Sequence, residues 1–256
     1  MILAVDAGNT NIVLGCIEDG TVSDVMRLET NRKKTEYEYA ATIRQILRIF
    51  GRNRADFTGA IISSVVPQLT ETLKSAVALI TGHDALIVGA GVKTGLNIRI
   101  DDPSQLGADL VAAAVSGLSM HKPPLIIFDM GTAVTISVID TDSRLLGGAI
   151  MPGPTVAMEA LTSSVSLLPH IPIEPPRKII GTNTIDCMKS GAVFGAAASI
   201  DGMIDRIEEE LGSPATVIAT GGLARKILPF CQRDIIFDEN LLLRGLWVIW
   251  QKNSKK

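Results

Sequence analysis

Two short segments of the chain set an acid, a glycine and hydrogen-bonding neighbours at one spacing: Asp6-Ala7-Gly8-Asn9-Thr10 and Asp129-Met130-Gly131-Thr132-Ala133. Each follows an apolar run, Ile2 to Val5 and Leu125 to Phe128, so each closes what reads as a buried strand. A glycine lets backbone approach a phosphate where a side chain would clash. The amides and hydroxyls of Asn9, Thr10, Asn11 and Thr132 can then donate to phosphate oxygens. A strand-end carboxylate such as Asp6 suits Mg²⁺, which takes carboxylate and water oxygens. A lone DxG is commonly just a turn. Here the whole unit repeats: strand, DxG, second β segment, then a glycine-bearing return through Gly20 or Gly147-Gly148. The duplication points to a phosphate site, and phosphoryl transfer depends on positioning and charge neutralisation rather than covalent help.

Such a transfer also needs a carboxylate to orient or deprotonate an acceptor hydroxyl. Asp109, in Leu106-Gly107-Ala108-Asp109, is the best candidate, with Gly107 and Ala108 leaving room beside it. An acid near a helix start is equally what the helix dipole favours, and spacing alone does not separate the two readings. Near the end, Val217 to Thr220 and Gly221-Gly222 read as strand, turn and helix start, where a flat base can lie against bare backbone. As a third element after two DxG turns, this completes the phosphate–phosphate–adenosine order of the actin/hexokinase-like ATPases. No GxxxxGK[ST] segment is present, which argues against a P-loop kinase.

The elements that must carry these residues alternate between buried-strand and helical patterns, the signature of an α/β fold. We expect strands at 2–6, 12–17, 22–28, 60–64 and 85–88, and helices at 37–50, 69–80 and 104–119, the last with Ser104 as N-cap. Lys122-Pro123-Pro124 is the expected junction between an N-terminal lobe, 1–121, and a C-terminal lobe, 122–256. The second lobe should hold strands at 125–129, 134–139, 145–150, 216–219 and 235–237. Its helices are expected at 155–164, 184–211, 223–228 and 240–251. The expected architecture is therefore two duplicated ribonuclease-H-like lobes of mixed sheet and flanking helices, facing each other across a cleft. The prolines from Pro169 to Pro176 read as a stiff connector, Arg32-Lys33-Lys34 as a solvated basic loop, and Lys252 to Lys256 as a frayed end.

Composition narrows the function class. The 256 residues are 46% hydrophobic and 20% charged, a globular balance, and the net charge of -3 offers no basic footprint for nucleic acid. Cys16, Cys187 and Cys231 are odd in number and lie far apart, which suggests reduced, buried thiols rather than a disulfide framework or zinc site. His83, His121 and His170 show no metal-ligand spacing. The N-terminus enters a strand pattern at once, and no apolar run reaches membrane-spanning length, so a cytoplasmic location without membrane association is expected.

Taken together, the segments resemble type III pantothenate kinases over nearly the whole chain. The resemblance rests on Asp6 to Asn11, Ser63-Ser64-Val65-Val66-Pro67, Gly91 to Leu96, Gly107-Ala108-Asp109 and Phe128 to Ala133. It also includes Gly148 to Gly153, Asn183-Thr184 and Ser190-Gly191. It implies ATP-dependent phosphorylation of pantothenate with Mg²⁺ and a monovalent cation, K⁺ or NH₄⁺. By the same resemblance, Asp6, Ala7, Gly8, Asn9, Thr10, Asn11, Ile12 and Val13 match the first ATP-phosphate loop, and Thr132 a nucleotide contact. Asp109 matches the proton acceptor, Gly107 to Leu110 the pantothenate site, Asp129 a ligand of the monovalent cation, and Thr184 a substrate contact near a dimer interface. A homodimer with composite sites follows from that resemblance. One departure stands out. The family pattern Gly-Ala-Asp-Arg ends here in Leu110, removing charge-assisted hydrogen bonds worth about 1.5–3 kcal/mol where they exist. It keeps open a kinase of another small hydroxyl substrate, or a weakly catalytic nucleotide-binding regulator.

Overall fold

The computed structural model describes residues 1–254, which form two compact units. The first is built on a five-stranded sheet: β1 (Ile2–Ala7), β2 (Asn11–Glu18), β3 (Thr21–Glu29), β4 (Gly59–Ser64) and β5 (Ala85–Ile87), in the order β3-β2-β1-β4-β5. β1 runs antiparallel to β2, with Asp6 opposite Val13, and parallel to β4, with Asp6 opposite Ser63. Helix α1 (Glu36–Ile49) starts at a capping box in which Thr35 and Glu38 satisfy each other's backbone amides. Helix α2 (Pro67–Thr81) takes Pro67 at its first position and stops at Gly82. Strand side chains alternate between faces. Leu3, Val5 and Ile62 join Tyr39, Ile43 and Leu69 in one core. Ile2, Ala4 and Ile61 join Val111, Ala112, Leu246 and Ile249 in the other. That second face is covered by α3 (Ala108–Met120) and α7 (Leu241–Ser254).

The second unit repeats this plan. Strands β6 (Asn97–Ile98), β7 (Leu125–Met130), β8 (Ala133–Ile139), β9 (Arg144–Pro152), β10 (Thr216–Thr220) and β11 (Ile236–Phe237) lie in the order β11-β10-β7-β8-β9-β6. Setting β6 aside, β9-β8-β7-β10-β11 corresponds strand for strand to β3-β2-β1-β4-β5, with the same antiparallel and parallel pairings. Helices α4 (Pro154–Ser164), α5 (Thr184–Leu211) and α6 (Ala224–Ile227) complete it. The duplicated strand–DxG–strand unit expected from the sequence is thus the central hairpin of each sheet.

Several expectations are corrected. Ser104 does not cap α3. Asp102 accepts from both the amide and the hydroxyl of Ser104 and from Gln105 Nε2, closing a separate 3₁₀ turn, and the α-helix starts only after Gly107. The unit boundary departs from the expected junction at 121/122: the segment 240–254 packs with the first unit, and Asn97–Ile100 with the second. The physical reasons are the apolar α7 face that fills the core around Ile2 and Ala4, and the pairing of Asn97 and Ile98 with Arg144 and Leu145. Lys252 to Ser254 continue α7 rather than fray, with Asn253 bonded to both backbone groups of Lys93, while Lys255 and Lys256 lie outside the described residues. Cys16 is buried, its thiol pushed up to about 11 mainly by burial, but Cys187 is exposed.

Candidate active site

In the first unit the chain turns between β1 and β2. Gly8 N donates to Asn11 O at 2.9 Å. The end of β3 fastens this turn from the side: Thr30 Oγ1 donates to Gly8 O at 2.7 Å, and Thr30 N to Thr10 O at 2.9 Å. Arg32 Nη2 reaches Asn9 Oδ1 at 3.1 Å, so the basic run is anchored on the turn rather than merely solvated. Ala7 and Ile12 are buried, Asp6, Asn11 and Val13 are half-buried, and Asn9 and Thr10 are exposed. The turn therefore offers its polar residues outward from a fixed apolar base. On the next strand, Ser63 is fully buried and its hydroxyl has no hydrogen-bond partner. The sequence reading gives Ser63 no individual role. The available signal is a pair of serines, Ser63 and Ser64, closing an otherwise apolar parallel strand.

Asp109 occupies the first turn of α3, and both readings of it find support. Its Oδ1 accepts from Leu110 N at 2.8 Å, covering a free amide of the helix start, and fills the space that a Cβ on Gly107 would take. Burial nevertheless raises its carboxyl above the ordinary value, against the opposing pull of the Leu110 and Asp109 amides. Gly107, Ala108 and Leu110 are half-buried around it. The absent Cβ of Gly107 would also lie 3.6 Å from Val65 Cγ1, so the segment after β4 borders the start of α3. The setting of Asp109 thus favours taking up a proton.

In the second unit the Asp129–Gly131 turn is held from two sides. Gly131 N donates to Ala133 O at 3.0 Å, and Thr132 is exposed. A Cβ on Gly153 would lie 2.5 Å from Thr132 O and 2.6 Å from Gly131 O. Gly221, at φ +97°, packs so closely on the end of β7 that its Cβ would lie 2.6 Å from the Met130 backbone. Leu223 N donates to Met130 O at 3.2 Å, and Gly222 is exposed. The second DxG turn and the double-glycine turn are thus brought together by backbone contact. The close approach of Gly153 went unread in the sequence because a packing glycine carries no local signature.

Thr184 lies elsewhere. It follows the N-cap Asn183 at the start of α5 and borders an apolar cavity of about 920 Å³ with Met130, Val134, Met151 and Met188. Those sheet residues point to the α5 side, whereas Asp129 alternates to the opposite face, beside Thr135 and Thr220. Within one chain, then, Thr184 and Asp129 are on opposite faces of the sheet. Thr135 Oγ1 on the Asp129 face is another buried hydroxyl without a partner. No group of three or more His, Cys, Asp or Glu that could hold a metal occurs among the described residues. Single strand-end carboxylates beside orphaned hydroxyls fit cations that keep most of their ligands from water and phosphate.

The family model of the type III pantothenate kinases matches residues 2–206. The chain belongs to that family. A type III pantothenate kinase from Bacillus cytotoxicus is 41% identical over 254 residues, covering 99% of this chain and 97% of that protein. Among solved structures, a Campylobacter jejuni protein described as a Baf family transcriptional activator superposes with a TM-score of 0.61 at 21% identity, covering 98% of both chains. The ROK hexokinase of Thermus thermophilus gives 0.51 at 12% identity, covering 98% and 99%. At these identities the structures speak to fold alone, and that fold is the two-unit mixed α/β architecture expected from the duplicated turns.

Proposed function

We propose that the chain transfers the γ-phosphoryl group of ATP to the primary hydroxyl of pantothenate, giving 4'-phosphopantothenate at the first step of coenzyme A biosynthesis. The observation that carries this reading is the pair of DxG turns, each at the end of a central strand and each presenting exposed hydrogen-bond donors, in a chain of this family. Residues Asp6 to Val13 hold ATP phosphates, Thr132 contacts the nucleotide, and the Gly221-Gly222 turn accommodates adenosine. Bound Mg²⁺ would supply charge neutralisation on the phosphates, with Asp6 as its protein carboxylate and Asp129 serving a monovalent cation. The orphaned hydroxyls of Ser63 and Thr135 suit that assignment, since each lies opposite one of these acids. Asp109 accepts the proton of the acceptor hydroxyl as its oxygen attacks the γ-phosphorus in line and ADP departs. Gly107, Ala108 and Leu110 line the acceptor side.

The placement of Thr184 on the face opposite Asp129 supports a homodimer in which it serves the partner's acceptor site. The same side of the unit exposes Leu167 and Ile180 at 90% and 78%, more apolar surface than an isolated protein needs to leave in water. Leu110 favours a second reading, a kinase of a related hydroxyl acid that does not need a guanidinium at that position. The test is ADP release with ATP, Mg²⁺ and K⁺, with and without millimolar pantothenate. Pantothenate-dependent turnover that falls when Na⁺ replaces K⁺ is expected. ATP binding without such turnover would remove pantothenate and send the search to other hydroxyl acceptors.

A further inference from the structure

We propose that Ser63 is a positioning residue for Asp6, its hydroxyl donating to the Asp6 carboxylate, directly or through one water, when Mg²⁺ and ATP are bound. The inference rests on the kinase reading above. Ser63, next to last in β4, is in parallel register with Asp6 on β1, so the two side chains stand side by side on one face of the sheet. The other residues on that face, Ile2, Ala4 and Ile61, are apolar and buried. Ser63 is itself 0% exposed, and its oxygen meets no donor or acceptor. A buried hydroxyl without a partner destabilises the fold, and alanine would fill almost the same space without that cost. A group kept at a disadvantage to stability, on the strand next to Asp6, fits a role that begins only with ligand.

The second unit supplies independent support. There the parallel neighbour of β7 is β10, and the residue in register with Asp129 is Thr220, again a buried hydroxyl, at 2% exposure. Both DxG acids therefore have a hydroxyl residue beside them at the same topological position. A carboxylate that binds a hydrated cation has rotational freedom about its last bond. A hydroxyl at its side would select one orientation and leave the far oxygen for the cation shell.

The test compares wild-type protein with Ser63→Ala and Ser63→Thr, reading thermal stability, ATP binding by calorimetry with and without Mg²⁺, and the Mg²⁺ dependence of turnover. Ser63→Ala should melt at or above the wild-type temperature without ligand. It should also lose about tenfold of the Mg²⁺-dependent gain in ATP affinity, the effect of about one hydrogen bond. ATP binding without Mg²⁺ should stay unchanged, and Ser63→Thr, which keeps the hydroxyl, should recover the gain. A Ser63→Ala protein with wild-type Mg²⁺ dependence overturns the proposal. So does one that melts lower and loses ATP affinity equally with and without the metal, since that marks a packing role. If wild-type protein neither binds ATP nor uses any acceptor, the kinase reading itself falls.

Discussion

Asp109 shows how far single residues can be read from a sequence. Its type and place allow a catalytic base or a helix-start stabiliser, and the structure shows Oδ1 on the Leu110 amide and a carboxyl raised by burial. The raised value sets the sign of its effect on stability. Above the ordinary 3.8 the folded chain holds this proton more tightly than the unfolded one, so stability falls as pH climbs from there through the folded value. At neutral pH the fold then carries the burden of a partly desolvated charge. Asp109→Asn keeps an oxygen for Leu110 N and removes that charge. It should therefore unfold at the same or a higher temperature at pH 7, the difference shrinking toward pH 4, while kcat drops by about 10²–10⁴ through loss of the proton acceptor. Thermal melts across that pH range, beside turnover assays, check both halves. A variant with full turnover would leave Asp109 only its helix-start role. The Ser63 hydroxyl was illegible at this scale because an orphaned group is defined by what surrounds it.

At the scale of elements, most of the fold was legible, since long apolar strands and periodic helices announce themselves. The repeat of strand, DxG and strand anticipated two sheets of like order, and the structure has β3-β2-β1-β4-β5 in one and its counterpart in the other. Part of what escaped was set by contacts distant in sequence. β6 is two residues long and exists through its pairing with β9. The start of α3 was misplaced for a local reason, since Asp102 accepts from the Ser104 amide and hydroxyl and so caps a separate 3₁₀ turn ahead of the helix. The second DxG turn owes its shape to Gly153, at the junction of β9 and α4, whose missing Cβ leaves room for Gly131 O and Thr132 O. Gly153→Ala must displace backbone, not a yielding side chain. We expect a loss of about 1–3 kcal/mol in stability by denaturant unfolding, together with weaker ATP binding, because Thr132 moves with the turn. Unchanged nucleotide affinity in a folded Gly153→Ala protein would separate the second turn from nucleotide binding.

For the molecule as a whole, composition excludes more than it specifies. A net charge of -3 and the lack of any helix long and apolar enough to cross a membrane among the described residues leave the exposed apolar side chains as the main surface clue. In the second unit a group of them lies at Val156, Leu161, Val165, Leu167, Ile179, Ile180 and Ile185, around α4, the connector and the start of α5. The sequence marked the connector through its prolines but not its exposed leucines and isoleucines, because burial belongs to the fold. Thr184 borders the same region, so a self-complementary contact there would cover apolar surface and hand Thr184 to a second copy. A stable pair of this kind buries about 800 Å² per partner. Charges placed within it should separate the subunits, whereas the first phosphate turn belongs to the other unit. We expect the wild type to sediment as a dimer and Leu167→Asp with Ile180→Asp to sediment as a monomer. The monomer should still bind ATP but should lose pantothenate-dependent turnover by at least about tenfold. A wild-type protein that is monomeric at the concentrations where it turns over would defeat the composite site. Thr184 would then have to act, if at all, within its own chain.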